Sequence, residues 1–157
     1  MPHPRLQRGA VVDTGLLAAR VLYQIGALRQ AVELGRDAGV GEDLWLCALI
    51  AVSYAKVYTT PSALAEALEG LVSRRWPYAA VAARAAVLQL NSSGDLEEIH
   101  VPKAGLFPGR LGLVDESLVA ASSTLGVPLV TYDMELWQYA RTRTEVLTIY
   151  ELCTGGL

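Results

Sequence analysis

Short apolar runs alternate with longer segments of helical periodicity, and this alternation constrains the fold more than any other feature of the sequence. The apolar and β-branched runs predict strands at residues 10–12, 57–60, 127–131 and 146–149. The spacing of apolar side chains predicts helices at residues 14–34, 43–55, 62–71, 77–90, 115–125 and 134–141. Residues 99–101 fit neither pattern well. Because strands separated by helices are joined by right-handed crossovers into covered parallel sheets, we predict an α/β protein, a three-layer α/β/α sandwich with a central, mainly parallel sheet.

Chain length and composition indicate one compact domain. The 157 residues are 52% hydrophobic and 18% charged, which excludes a disordered or solvating segment. Loop-forming residues punctuate the chain, but no linker or internal repeat divides it. We therefore expect residues 1–157 to form a single domain.

Hydropathy raises the question of a membrane span, because the mean hydropathy is +0.31. The longest apolar run, residues 44–55, is shorter than the about 20 residues that a bilayer requires, so it is interpreted as a buried helix. Prolines and arginines interrupt the first residues, which therefore lack the pattern of a secretory signal. These features predict a cytoplasmic protein without a membrane partner.

The two cysteines are far apart in the sequence. Cys47 lies inside the apolar run and Cys153 lies near the C-terminus. This placement favours two separate small hydrophobic residues, and a disulfide between them is the alternative.

The net charge of −3 argues against a broad basic surface for nucleic acid. A polyanionic partner would therefore need another means of attachment. Bound cations among acidic residues are one such means, because they offset the local negative charge.

Carboxylates follow the predicted strands at the positions where ligands bind in open α/β sheets. Asp13 follows the first strand and Asp133 follows the strand that ends at Thr131, while Asp115 opens a helix after a glycine-rich loop. Glu66 lies one turn into the helix that follows Thr60. Because the carboxyl ends of parallel strands share one edge, the four carboxylates are expected to converge there. Oxygen-only ligands favour Mg²⁺ or Mn²⁺ over zinc.

Helix capping is the structural alternative for three of these acids. Asp is a preferred N-cap residue, and Asp13, Asp115 and Asp133 all stand at the beginnings of predicted helices. Capping gives no reason for Glu66, which would otherwise be a solvated helix residue. It also does not require the three helices to begin at the same sheet edge.

Four segments together resemble the ordered motifs of the PIN-domain family. They are 11–14 (Val-Val-Asp-Thr), 59–68 (Thr-Thr-Pro-Ser-Ala-Leu-Ala-Glu-Ala-Leu), 112–115 (Gly-Leu-Val-Asp) and 128–133 (Pro-Leu-Val-Thr-Tyr-Asp). This family consists of metal-dependent ribonucleases that act on single strands, including VapC-like toxins of toxin–antitoxin pairs and RNA-processing nucleases. The resemblance extends over residues 11–150. Each motif is weak alone, and the order of the four gives the resemblance its specificity.

The resemblance implies a site and an activity. Asp13, Glu66, Asp115 and Asp133 would be an acidic tetrad that holds one or two Mg²⁺ or Mn²⁺ ions, with Thr14 and Thr131 as hydroxyl partners of the first and last carboxylates. Glu116 would be an auxiliary acid or a solvated first-turn residue. The activity would be endonucleolytic hydrolysis of RNA to 5′-phosphate and 3′-hydroxyl products. A homodimer and a small antitoxin protein are the partners that the family implies.

The sequence departs from the family pattern at two places. Gly15 stands where the family often has Asn, which removes a side-chain amide that helps to order the site. The gap between Asp13 and Glu66 is longer than in compact toxins, and a rival alignment places Ser53 at the position of the second acid. Glu66 is preferred, because the rival would leave residues 57–61 unexplained.

Substrate contacts are expected from arginines near aromatic residues. Arg74 and Arg75 adjoin Trp76, a combination of cations and stacking surfaces that single strands use, and Arg110 lies in the glycine-rich loop. The alternative is a solvated helix start with Trp76 in the core. A catalytically degenerate PIN-like module for RNA or protein binding is the alternative to a nuclease. The reach of Glu66 towards the other acids separates the two.

Overall fold

The computed structural model describes residues 3–102 and 111–154. Within these ranges five strands form one parallel sheet in the order β3-β2-β1-β4-β5. The strands are β1 (Ala10–Val12), β2 (Val57–Thr59), β3 (Leu96–Glu98), β4 (Leu129–Thr131) and β5 (Val146–Thr148). The sheet is flanked by helices on both faces, which confirms the predicted three-layer α/β/α sandwich.

The helices connect the strands and cover the sheet. They are α1 (Thr14–Gln24), α2 (Leu28–Asp37), α3 (Glu42–Ser53), α4 (Pro61–Ala65), α5 (Ala80–Ser93), α6 (Leu113–Leu125), α7 (Met134–Ala140) and α8 (Ile149–Cys153). A π-helical segment, Glu66–Ser73, continues α4, and short 3₁₀ turns cover Pro4–Leu6 and Pro77–Ala79. In this part of the chain no helix is both long and apolar enough to cross a membrane.

Alternate residues of the central strands β1 and β4 enter different cores. Val12 of β1 and Val130 of β4 belong to a large apolar cluster with α1, α3 and α5. Val11 and Leu129, one position earlier on the same strands, belong to a second cluster with α6 and α7. This division follows from the two-residue period of a strand and explains why the central strands are apolar on both faces.

The predicted helix over residues 14–34 is wrong in one respect, because it is two helices. The chain breaks between Gln24 and Leu28, where Gly26 adopts a left-handed conformation with φ of 76°. Glycine adopts this conformation without steric cost, so it ends α1 and lets α2 turn back against it. The apolar period continues across the break and conceals it.

Other boundaries also differ from the predictions, and Ile149, predicted to end the last strand, instead begins α8. The stretch after α5 contains β3 at Leu96–Glu98, earlier than the poorly defined residues 99–101. Only Leu96 of this edge strand is buried, so its apolar signal is weak. Helix α6 begins at Leu113, with Gly112 as its N-cap residue.

The two cysteines form a disulfide, which contradicts the interpretation of separate hydrophobic residues. The bond joins Cys47 of α3 to Cys153 of α8, whose Cα atoms are 6.1 Å apart. Helix α8 packs against α3, and this contact brings two residues 106 positions apart into bonding distance. Sequence spacing alone carries no signal for such a long-range pairing.

Candidate metal centre

The predicted acids lie around the point where the connections of the sheet change direction. The chain leaves β1 towards β2 on one side, whereas it leaves β4 towards β5 on the other. Such a switch point opens a crevice at the carboxyl ends of the two strands. The backbone N–H of Asp13 donates to the carbonyl oxygen of Val130 at 2.9 Å, so Asp13 and Thr131 are neighbours across β1 and β4.

Asp13 is a buried carboxyl group held by two donors. Its side chain is 6% exposed, and one of its oxygens accepts a hydrogen bond of 2.5 Å from the Thr131 hydroxyl. The other oxygen accepts from the backbone N–H of Thr14 at 2.9 Å, which caps α1. Each oxygen keeps a lone pair for a further partner.

Thr131 connects the first acid with the last. Its hydroxyl donates to Asp13 and accepts from the backbone N–H of Asp133 at 2.9 Å. Asp133 in turn caps α7 through Oδ1, which accepts from the backbone N–H groups of Glu135 and Leu136. Its Oδ2 is not used in the cap.

Asp115 is not a helix cap. Gly112 is the N-cap residue of α6, and Asp115 lies within the first turn with its side chain half buried. The capping alternative therefore accounts for Asp13 and Asp133 but not for Asp115. A negative charge in the first turn is favourable to the helix dipole, which stabilises this placement.

Glu66 begins the π-helical segment and is exposed. Its side chain lies along Gly70, where a Cβ atom would be 3.4 Å from the Glu66 Cγ. Its charge acts on Asp115, as the raised pKa of Asp115 shows. Ser53, the rival candidate, ends α3 just before β2 begins and therefore lies at the opposite, amino-terminal edge of the sheet.

Burial and mutual repulsion disfavour ionisation of two of the acids. Burial, together with the charges of Asp115 and Asp133, raises the pKa of Asp13 to about 7, although the hydrogen bonds from Thr131 and Thr14 oppose the shift. Burial also raises the pKa of Asp115, together with the charges of Asp133, Glu66, Glu116 and Glu135. The four predicted acids therefore interact electrostatically, and a bound cation would relieve this repulsion.

The oxygen donors suit a hard divalent cation, although they do not converge fully. In residues 3–102 and 111–154 no three His, Cys, Asp or Glu side chains stand close enough together to hold one ion. The Thr14 hydroxyl, buried beside Asp13, has no hydrogen-bond partner. The Thr14 hydroxyl and the carboxylates of Asp13 and Asp115 are oxygen ligands of the kind that Mg²⁺ and Mn²⁺ prefer. To bind one ion together, the more exposed carboxylates would have to rotate towards Asp13.

Glu116 has a structural partner, and its interpretation as a solvated residue is wrong. Its side chain is 3% exposed and receives two hydrogen bonds from Arg143, at 2.7 and 3.2 Å. This bidentate pair fixes α6 to the turn before β5 and neutralises the charge next to Asp115.

The arginines predicted to bind substrate differ in their surroundings. Arg75 forms ion pairs with Glu33 and Asp37 of α2 and lies over the ring of Trp76, which is buried. Arg74 is exposed, and no acid in the described ranges pairs with it. Arg110 lies outside the described residues.

Tyr132 is a site residue that sequence reasoning missed. Its ring lies over Gly15, where a Cβ atom would meet the Tyr132 Cζ at 3.1 Å and its hydroxyl oxygen closer still. Burial raises the pKa of its hydroxyl, and the charges of Asp13, Asp133, Asp115 and Glu66 raise it further, so the group stays protonated. Position 15 is therefore a glycine because the aromatic side chain that follows β4 occupies the adjacent space.

Trp45 holds Tyr132 in this place. The two rings meet edge to face with centroids 5.4 Å apart, and the Trp45 indole N–H donates to the carbonyl oxygen of Ala31 at 2.9 Å. Trp45 itself fills the space beside Gly35. The contacts join α1, α2, α3 and β4, and no local pattern in the sequence signals them.

The chain matches no protein-family model, and no curated protein and no solved structure is significantly similar to it.

We predict that Asp13 makes the metal-free protein less stable as pH rises. Its folded pKa of about 7 exceeds the usual pKa of 3.8 for an aspartate, so the unfolded chain releases this proton first, and the free energy of unfolding falls between these pH values. The contribution is at most about 1.4 kcal/mol per pH unit. Denaturant titrations in EDTA at several pH values should show a smaller decline for Asp13→Asn.

Asp43→Asn provides the control, because Asp43 is an exposed first-turn acid of α3 that does not contribute to the raised pKa of Asp13. Its pH dependence should match that of the unmodified protein. Equal declines in all three proteins would contradict the assignment of a buried proton to Asp13.

We also predict that Gly15 and Tyr132 are energetically coupled. Gly15→Ala should destabilise the protein, although alanine normally favours a helix by up to about 1 kcal/mol, because the new methyl group meets Tyr132. In a Tyr132→Ala background the same change should stabilise, which gives a coupling energy of about 1–3 kcal/mol in a double-mutant cycle. The measurement is the free energy of unfolding of the four proteins.

Gly70→Ala is the matched control, since its Cβ atom would meet only the Glu66 Cγ at 3.4 Å. It should not destabilise in either background. Additive effects of Gly15→Ala and Tyr132→Ala would show that the two residues do not compete for space.

Proposed function

We propose that the protein is a PIN-like, metal-dependent endoribonuclease that hydrolyses phosphodiester bonds of single-stranded RNA. The observation that carries the proposal is the buried Asp13 carboxyl, whose pKa of about 7 is raised by burial and by two further acids at the switch point of the sheet. A perturbed acid in such a crevice is typical of a functional site. The resemblance of the four sequence segments to PIN domains supplies the reaction class.

Each acid has a distinct part in the proposed site. Asp13 is the fixed ligand, because Thr131 and the N–H of Thr14 hold both of its oxygens. Asp133 offers Oδ2 while Oδ1 caps α7. Asp115 and the exposed Glu66 are the acids with freedom to turn towards a cation. When bound, Mg²⁺ or Mn²⁺ supplies an activated water and stabilises charge on the phosphoryl and leaving oxygens.

The remaining groups prepare the site for an anionic substrate. The Thr14 hydroxyl is an unused donor and acceptor beside Asp13. The protonated Tyr132 hydroxyl is a donor close to Gly15. Arg74 is a cation without a described acidic partner, which suits contact with a phosphate. The Arg143–Glu116 pair limits the number of uncompensated charges near Asp115.

The biological setting follows from the resemblance alone. A homodimer, a small antitoxin partner and a cytoplasmic location are the corresponding proposals, and a role in RNA processing is the alternative to a toxin. Each stays a prediction.

A non-catalytic PIN-like binding module is the second candidate. It is favoured by the separation of the acids, since no three of the described His, Cys, Asp or Glu side chains are close enough to hold an ion. The two candidates differ in whether Glu66 and Asp115 turn towards Asp13 when a cation is offered.

The proposal predicts Mn²⁺-dependent cleavage of labelled single-stranded RNA that EDTA abolishes. Asp115→Asn should lower the cleavage rate by about 100-fold or more, because it removes a cation ligand without changing side-chain size. Glu145→Gln is the matched control: it removes one negative charge at the opposite edge of the sheet, where Glu145 precedes β5. Its rate should equal that of the unmodified protein.

Product analysis should find 5′-phosphate and 3′-hydroxyl ends. Cleavage that persists in EDTA, or in both Asp13→Asn and Asp115→Asn, would reject the metal site. Absence of cleavage with retained RNA binding would favour the binding module.

A further inference from the structure

A cavity of about 560 Å³ opens beside the acids. It lies between the beginning of α1, the end of α2 and the end of the π-helical segment, with Tyr132 on one side. Its apolar walls come mainly from Leu34, Ala38, Gly70, Leu71 and the Tyr132 ring. This volume is in the range of small-molecule sites.

The cavity is lined by residues that are sequence neighbours or contacts of three of the four acids. Gly15, which lines it, is two residues after Asp13, and Tyr132 immediately precedes Asp133. Gly70 also lines it and lies against the Glu66 side chain. A ligand whose phosphate lies among the acids would therefore have the chemical group next to that phosphate close to this cavity.

The charges at the cavity rim distinguish its two arginines. Arg75 forms ion pairs with Glu33 and Asp37, so the charges of these three side chains already offset one another. Arg74 lines the same rim, is exposed, and has no ion pair with any residue in the described ranges. The rim thus offers one available cation next to an apolar space.

We propose that this cavity binds one nucleobase of the substrate, the base of a nucleotide that flanks the cleaved phosphate. The inference rests on the proposed function and deepens it by assigning a subsite. A base has apolar faces that match Leu34, Leu71 and the Tyr132 ring, and its own phosphate can reach Arg74. An uncharged aliphatic ligand would contact the apolar walls but would leave the Arg74 guanidinium without an anionic partner.

The test is a titration of the full-length protein in EDTA, followed by the methyl NMR signals of Leu34 and Leu71. The probes are adenosine and uridine 5′-monophosphates, with ribose 5-phosphate as the probe without a base. Both nucleotides should shift the two leucine signals saturably, and ribose 5-phosphate should bind about tenfold more weakly. Equal binding of ribose 5-phosphate, or no saturable shift with either nucleotide, would overturn the proposal.

Two pairs of measurements locate the base and the phosphate. Ala38→Trp should fill the cavity from its exposed rim and weaken nucleotide binding about tenfold, whereas Ala82→Trp, an exposed position of α5 outside the cavity lining, should bind as the unmodified protein does. Arg74→Gln should weaken adenosine 5′-monophosphate about fivefold and leave adenosine unchanged. Unchanged nucleotide binding in a folded Ala38→Trp protein would contradict the cavity assignment. If Arg74→Gln leaves the ratio of the affinities for adenosine 5′-monophosphate and adenosine unchanged, the phosphate contact is wrong.

The titration needs neither metal nor cleavage, so its result is independent of the cleavage assay. If the protein cleaves RNA but nucleotides do not shift the leucine signals, the base site is wrong and the nuclease stands. If nucleotides bind in the cavity but RNA is not cleaved, the nuclease is wrong and a nucleotide-binding site remains.

Discussion

The burial of Asp13 at the end of the central strand is the constraint on which the site depends. A carboxyl group with two hydrogen-bond donors is well solvated by the protein, yet here its pKa still rises to about 7 because burial and two nearby acids outweigh those donors. The fold thus holds an acid in a place that favours its neutral form. A bound cation would offset the stability that the protein loses as pH rises towards the folded pKa of Asp13, about 7.

The aromatic pair explains how the sheet edge is kept in shape. Tyr132 follows β4 and occupies the space beside Gly15, while Trp45 of α3 supports its ring and fills the space beside Gly35. Two glycines on adjacent helices therefore admit two rings from other elements. Packing explains why position 15 is a glycine and not the Asn that the resemblance led us to expect. The polar group near Asp13 at this point is the Tyr132 hydroxyl instead of an Asn amide.

The strand and helix pattern of the sequence predicted the architecture because the central strands are apolar on both faces. It also placed Asp13 directly after β1 and Asp133 two residues after the end of β4. Local patterns could not predict the break at Gly26, where the apolar period continues, or the edge strand at Leu96–Glu98, where one residue is buried. They also could not predict contacts between distant elements. The Cys47–Cys153 disulfide, the Glu116–Arg143 pair and the Tyr132–Gly15 contact all depend on packing that only the assembled fold specifies.

The central claim is that the acids at this edge form one cation site. It is tested most directly by locating Mn²⁺ in crystals of the full-length protein through its anomalous scattering. We expect a peak between Asp13, Asp115 and Asp133, with Glu66 turned towards it and with oxygen ligands only. Saturating Mn²⁺ that leaves this crevice empty, or that binds at a place remote from Asp13, would contradict it.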